Sequence, residues 1–138
     1  MAFVDEIGGK TTIERVHTLL YDKLLRDPWL KGFFVGVERW VLEVQQTEFM
    51  ADLFGAEPKR YAGRAPMRGH QHLFITEEIF MIRHGMLEKS LIEAGLTPAL
   101  RERWLRYDLG MMPAIVKESI DDCEGRYRNE EVLAIAKP

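Results

Sequence analysis

The sequence predicts an all-α chain of four main helices, with one long irregular stretch between the second and the third. Three observations carry that expectation. Apolar residues recur at three- and four-residue spacing over four segments, glycine or proline stands at the ends of those segments, and no segment alternates with period two between turn signals as a half-buried strand would.

The first helix is expected over residues 11 to 26. Thr11 with Glu14 three residues on reads as a capping box after Gly8 and Gly9, and Ile13, Val16, Leu20 and Leu24 then repeat at helical spacing. Asp27-Pro28 stops it, because proline disfavours the α conformation of the residue before it. Phe33-Phe34 falls in the short connection that follows. A second helix is expected from Glu38 to Phe54, ended by Gly55, with Leu42, Gln46, Phe49 and Leu53 on one stripe. One member of that stripe is an amide. A buried amide without partners costs ~1–3 kcal/mol, so Gln46 either turns outward or meets something polar.

Residues 55 to 69 mix Gly55, Pro58, Gly63, Pro66 and Gly69 with Lys59, Arg60, Arg64 and Arg68. That is a basic loop too irregular for a helix, and it delivers the chain to His70. Thr76 is a good N-cap for a third helix with Phe80, Arg83, Leu87, Leu91 and Ala94 on one side and Gly95 at its end. Arg83 is out of place on an apolar face. An unpaired buried guanidinium costs several kcal/mol, so Arg83 is expected to reach a carboxylate, of the protein or of a bound group. Pro98 opens a fourth helix whose apolar face is Leu100, Trp104, Leu105, Met111, Met112 and Ile115. Beyond about Glu118 the periodicity fades into a tail.

A chain of 138 residues that is 46% hydrophobic and 30% charged fits one folded domain, residues 1–138 with a tail after about 119. The net charge of −3 arises from 19 basic and 22 acidic residues scattered without runs, so nucleic acid is not an expected partner. No stretch approaches the ~18 apolar residues of a membrane span, and the first residues lack a leader pattern, so a cytoplasmic location is expected. Cys123 stands alone, which excludes an internal disulfide and suits a reducing compartment. The three tryptophans and Met111-Met112 read as core, and His17 and His84, beside charged residues, as solvated.

Few motifs of chemistry are present. There is no dinucleotide or phosphate loop, no His-Glu-x-x-His and no Gly-x-Ser-x-Gly. His70-x-His72 could start a divalent-metal site, yet no acid or thiol stands in an obvious position to complete it. His70 leaves the basic loop for the apolar run Leu73-Phe74-Ile75, and by itself it is a capping or surface histidine or else a ligand. Tyr21, one position off the Leu20 line, aims its hydroxyl into the interior that Gln46 would face, or out to solvent.

The order Ile7-Gly8-Gly9, Tyr21-x-x-x-Leu25, Phe33-Phe34, Gln46-x-x-Phe49 and Tyr61-x-Gly63, followed by a histidine and Ile75-Thr76, resembles the truncated (2-over-2) haemoglobins, group I most closely, over about residues 5 to 118. The resemblance implies a globin-like 2-over-2 helical sandwich that holds haem b, iron protoporphyrin IX. It makes His70 the proximal iron ligand, Tyr21 the distal hydroxyl donor and Phe34 a residue on the haem face. It places Leu42 first over the ligand and Gln46 a helical turn later, with Phe49 or Met50 along a ligand tunnel. Phe80 walls the proximal side, and Arg68 is brought to the neighbourhood of a propionate. Gln45 stands where a sixth-ligand histidine is frequent, which implies a five-coordinate iron.

The departures are specific. The stretch from Pro66 to His70 is one residue shorter than the usual group I form, the last helix with Trp104, Leu105 and Tyr107 looks more like group II, and Arg83 replaces an apolar haem contact. The implied function is binding of O2, NO and CO, with conversion of NO and O2 to nitrate, supported by a reductase, as a further activity. A haem-based gas or redox sensor and a cofactor-free helical interaction module are the alternatives, and a Soret band separates the last from the others.

Overall fold

A computed structural model describes residues Met1–Pro138. Seven helices follow one another: α1 (Phe3–Glu6), α2 (Lys10–Leu24), α3 (Arg39–Leu53), α4 (Pro66–His70), α5 (Glu77–Glu93), α6 (Pro98–Gly110) and α7 (Met112–Ile115). Two 3-10 turns, Leu30–Phe34 and Ile120–Asp122, complete the set. There is no sheet, only an isolated parallel bridge between Leu73 and Leu133. α2 packs on α3 and on α5, α5 on α6, and the short α4 on α7. None of the helices is long and apolar enough to cross a membrane.

The long helices stand where the periodicity puts them, and their ends follow local chemistry. The Thr76 hydroxyl accepts from the Ile79 amide at 3.3 Å and starts α5, with Glu77 and Glu78 favourably placed in its first turn. Gly55 and Gly95, at φ of +98° and +84°, take the left-handed conformation that releases the chain from α3 and α5. The Asp27 carboxylate accepts from the amides of Trp29 and Leu30, both at 2.8 Å, and so turns the chain into the segment that carries Phe33 and Phe34.

Several expectations are corrected. α2 begins at Lys10 behind Gly9 with no side-chain cap, so Thr11 and Glu14 form no capping box. The buried face of α2 is wider than the Ile13–Leu24 stripe and takes in His17 and Tyr21 as well. In α3 the buried residues are Thr47, Met50 and Ala51, while Leu42, Gln46 and Phe49 are half-buried and Leu53 is exposed. The stripe containing Gln46 therefore borders the core instead of forming it. The last helix breaks at Gly110–Met111, because Pro113 has no amide to continue the ladder and opens the separate α7. Of the tryptophans, Trp104 and Trp29 are buried, but Trp40 is 65% exposed with its indole N–H on Glu38.

The irregular stretch from 55 to 69 is not wholly a loop, since Pro66 at the first turn opens α4, which ends on His70. The N-terminal turn α1 owes its place to packing. Phe3 meets Phe54 edge-on at 4.7 Å between ring centroids, and Phe54 meets Trp104 at 4.9 Å, so α1, the end of α3 and α6 share one aromatic cluster. Such pairs contribute ~0.5–1.5 kcal/mol each beyond the area they bury.

Candidate functional site

His70 is the last residue of a five-residue helix. Its Nδ1 lies 2.8 Å from the carbonyl oxygen of Pro66, a contact in which the ring N–H must donate because a carbonyl can only accept. That bond puts the proton on Nδ1 and leaves Nε2 with its lone pair, and Nε2 makes no hydrogen bond and keeps accessible surface. Burial pushes the imidazole pKa down to about 4; the Pro66 bond opposes this and Arg83 adds to it. At neutral pH the side chain is thus a neutral base with one fixed tautomer.

His72, two residues on, points elsewhere. Its Nδ1 is sealed from solvent without a hydrogen bond, 3.9 Å from Glu130 of the C-terminal tail.

Tyr21 is buried on α2 and packs edge-on against Phe34, with 5.9 Å between ring centroids. Its hydroxyl bonds to nothing in the protein and is not sealed. Burial raises its pKa to about 12 against the opposing pull of Arg83, so it keeps its proton at neutral pH and can donate. Arg83 opposes the effect of burial on Tyr21 and adds to it on His70. Leu42 and Phe49 lie half-buried against the core, as do Phe34, Leu73, Ile75, Ile82 and Met86. Gln46 is half-buried beside them, Gln45 faces solvent, and Met50 belongs to the core. Phe49 is braced by Tyr61 at 5.2 Å between ring centroids. Arg68 is exposed and spends one nitrogen on the Arg126 carbonyl at 2.7 Å.

Arg83 does reach a carboxylate. It pairs with Asp108 of α6 and lies over the Phe80 ring, 5.3 Å from its centroid. Asp108 is buried, and its second oxygen accepts from His84 Nδ1 at 2.7 Å. Against the cost of burial, Arg83 and His84 hold the Asp108 pKa below the usual carboxylate value. Phe80 is fully buried at this junction, outside the main hydrophobic cluster.

The two histidines expected in solvent are both inside. His84 is paired as described, and His17 bridges α2 to α3 through Thr47, with 2.8 Å between Nδ1 and Oγ1. Each lies one step off an apolar stripe, and burial of the whole helix face takes it along. Asp108 was not anticipated, although it stands four residues after Trp104 and Arg83 called for an anion.

A neutral imidazole with a free Nε2 can serve as a metal ligand, and a protonated phenol without a partner can serve as a hydrogen-bond donor. Comparison with known proteins decides the lineage. The bacterial-like globin family model matches residues 2–107. The group 1 truncated haemoglobin of Mycolicibacterium paratuberculosis is 36% identical over 92 residues, 67% of each chain. The chain belongs to the truncated haemoglobins.

Among solved structures, the Fe(III) truncated haemoglobin of Tetrahymena pyriformis superposes with a TM-score of 0.76 over 86% of this chain and all of its own, at 23% identity. The group II truncated haemoglobin of Bacillus anthracis gives a TM-score of 0.76 over 85% of this chain and 92% of its own, at 21% identity. These likenesses establish the 2-over-2 helical sandwich, and membership of a globin family carries haem-based ligand binding with it.

Proposed function

We propose that this truncated haemoglobin holds haem b through His70 and binds O2 and related diatomic ligands on the side of Tyr21 and Gln46. The observation that carries the reading is the His70 tautomer: Nδ1–H is committed to Pro66, so Nε2 is the nitrogen offered to a metal. Haem, when bound, supplies reversible ligand binding and one-electron chemistry that no side chain has. The residues fit the group. His70 needs no deprotonation at neutral pH, and Phe34, Leu42 and Phe49 offer half-buried apolar surface; Phe80, fully buried beneath Arg83, is assigned to the proximal wall by the resemblance to the family. Arg68 keeps guanidinium donors beyond the one it gives to Arg126 for a propionate.

Tyr21 acts as a donor and not as a phenolate, since its pKa stands near 12. Gln46 adds an amide donor at the edge of the same face. Gln45 points to solvent, so no side chain from that position competes for the metal, which supports a five-coordinate state. Consumption of NO in the presence of O2, renewed by a reductase, is the activity that such a site would add.

The test is the absorption spectrum of the ferric, ferrous and ferrous-CO forms, in the full chain and in His70→Ala. A Soret band with a five-coordinate ferrous form is expected, and His70→Ala should lose haem on gel filtration. If His70→Ala keeps a normal band while His72→Ala does not, the ligand moves two residues along.

A further inference from the structure

α4, with five residues, is far too short to be stable alone, so the position of His70 is set by tertiary contacts. Those contacts come from the far end of the chain. Lys117, just past α7, donates to the carbonyls of His70 and of Leu73, the latter at 2.8 Å. The Glu124 amide donates to the Gln71 carbonyl at 2.9 Å, and the Gln71 side chain returns a bond to Gly125 at 2.8 Å. Leu133 donates to the His72 carbonyl at 2.8 Å and accepts from the Phe74 amide at 2.9 Å. The segment then crosses to the opposite wall. There the Trp29 indole donates to the Ile135 carbonyl at 2.9 Å, and a Cβ on Gly32 would come within 2.9 Å of the Ile135 side chain. The contacting segment itself, residues 117–135, lies beyond the residues 2–107 that the family model matches.

We propose that residues 117–135 form a strap that positions His70, fixing the direction of its Nε2 by holding the backbone from His70 to Phe74 and tying it to the turn that carries Phe34. Lys117 and Leu133 are positioning residues in this scheme. Lys117 holds the His70 carbonyl itself, and Leu133, half-buried against the core, holds the peptides on either side of Leu73. The inference rests on the reading of His70 as the iron ligand.

The experiment uses the full haem-loaded chain and its Lys117→Met, Lys117→Arg and Leu133→Asp variants. Resonance Raman spectroscopy of the ferrous, ligand-free form reports the iron–histidine stretch. Transfer to excess apomyoglobin reports haem loss. Hydrogen exchange of the amides from Leu73 to Ile75 in the haem-free chain gives a reading that needs no cofactor. Lys117→Met and Leu133→Asp should shift or broaden the iron–histidine band, speed haem loss about tenfold, the equivalent of ~1.4 kcal/mol, and speed the exchange. Lys117→Arg, which keeps the donors, should restore the band. If Leu133→Asp does not fold, Lys117→Met decides. A native band and native haem loss in Lys117→Met overturn the strap. Loss of the reading itself has a different signature, namely a native five-coordinate spectrum in His70→Ala.

Discussion

The wall that carries Tyr21 and the wall that carries His70 are built in opposite ways. Tyr21 and Gln46 sit on α2 and α3, two helices of 15 residues each that pack on one another. His70 sits at the end of a five-residue helix, and the backbone after it is held by Lys117, Glu124 and Leu133. Side chains on the first wall are placed by helical periodicity, which is local. On the second they are placed by hydrogen bonds between distant segments, which form only once the rest of the chain has folded.

The largest expected effect falls where α5 and α6 meet. Asp108 neutralises Arg83 and holds His84, and Asp108→Ala would leave a largely buried guanidinium without its anion. Removing one partner of a buried pair costs ~3–5 kcal/mol, and the part-exposure of Arg83 argues for the lower end, about 3 kcal/mol. Urea unfolding of the variant measures it. A loss no larger than the ~0.5 kcal/mol of an ordinary surface substitution would show that this junction contributes little.

The Tyr21 wall should show itself in acid. His17 is buried between α2 and α3 and stays neutral, its pKa pushed from 6.5 to about 4 by burial first and Arg83 second. The unfolded chain takes up the proton near 6.5, while the folded chain resists it until about 4. Stability should therefore fall as pH drops through that window, by up to about 3 kcal/mol from this side chain. Urea midpoints of the haem-free chain between pH 7 and 4 report the decline, and His17→Gln, which keeps a polar group for Thr47 but cannot titrate, should remove its share and leave that of His70, whose pKa burial also pushes to about 4. An unchanged slope in that variant would move the acid sensitivity to other groups.

The smallest effect in free energy is the most informative about ligands. A neutral hydroxyl donating to bound O2 stabilises it by ~0.5–1.5 kcal/mol, and more as the ligand gains negative charge. At ~1.4 kcal/mol per decade, Tyr21→Phe should release O2 about tenfold faster. CO, a poor acceptor, should change little. If Gln46 shares the ligand with Tyr21, then Gln46→Leu and the double variant should combine non-additively in stopped-flow O2 dissociation. Equal rates in all four proteins would remove the donor pair and leave His70 as the functional residue of the site.

The helical class, the spans of α2, α3 and α5 and the Thr76 cap were legible in residue spacing, whereas His70 and Tyr21 were singled out only by the resemblance to the truncated haemoglobins. The helices depend on patterns of three, four and seven residues, and such patterns survive in the linear order. The partner of Arg83 was legible only as a requirement: the cost of a buried charge demanded an anion, but nothing linear pointed to Asp108, 25 residues away on another helix. The interior positions of His17 and His84 were misread, because a residue beside an apolar stripe is buried or exposed according to how much of the helix its neighbours cover. α4 and the strap were illegible for the same physical reason. A short helix and an extended tail have no periodicity of their own, and their free energy comes from contacts between segments that meet only in the folded chain. Spacing thus specified the helices, whereas the folded chain decided which nitrogen of His70 is free, through the Pro66 carbonyl one turn back, and how the backbone after it is held, through hydrogen bonds to distant segments.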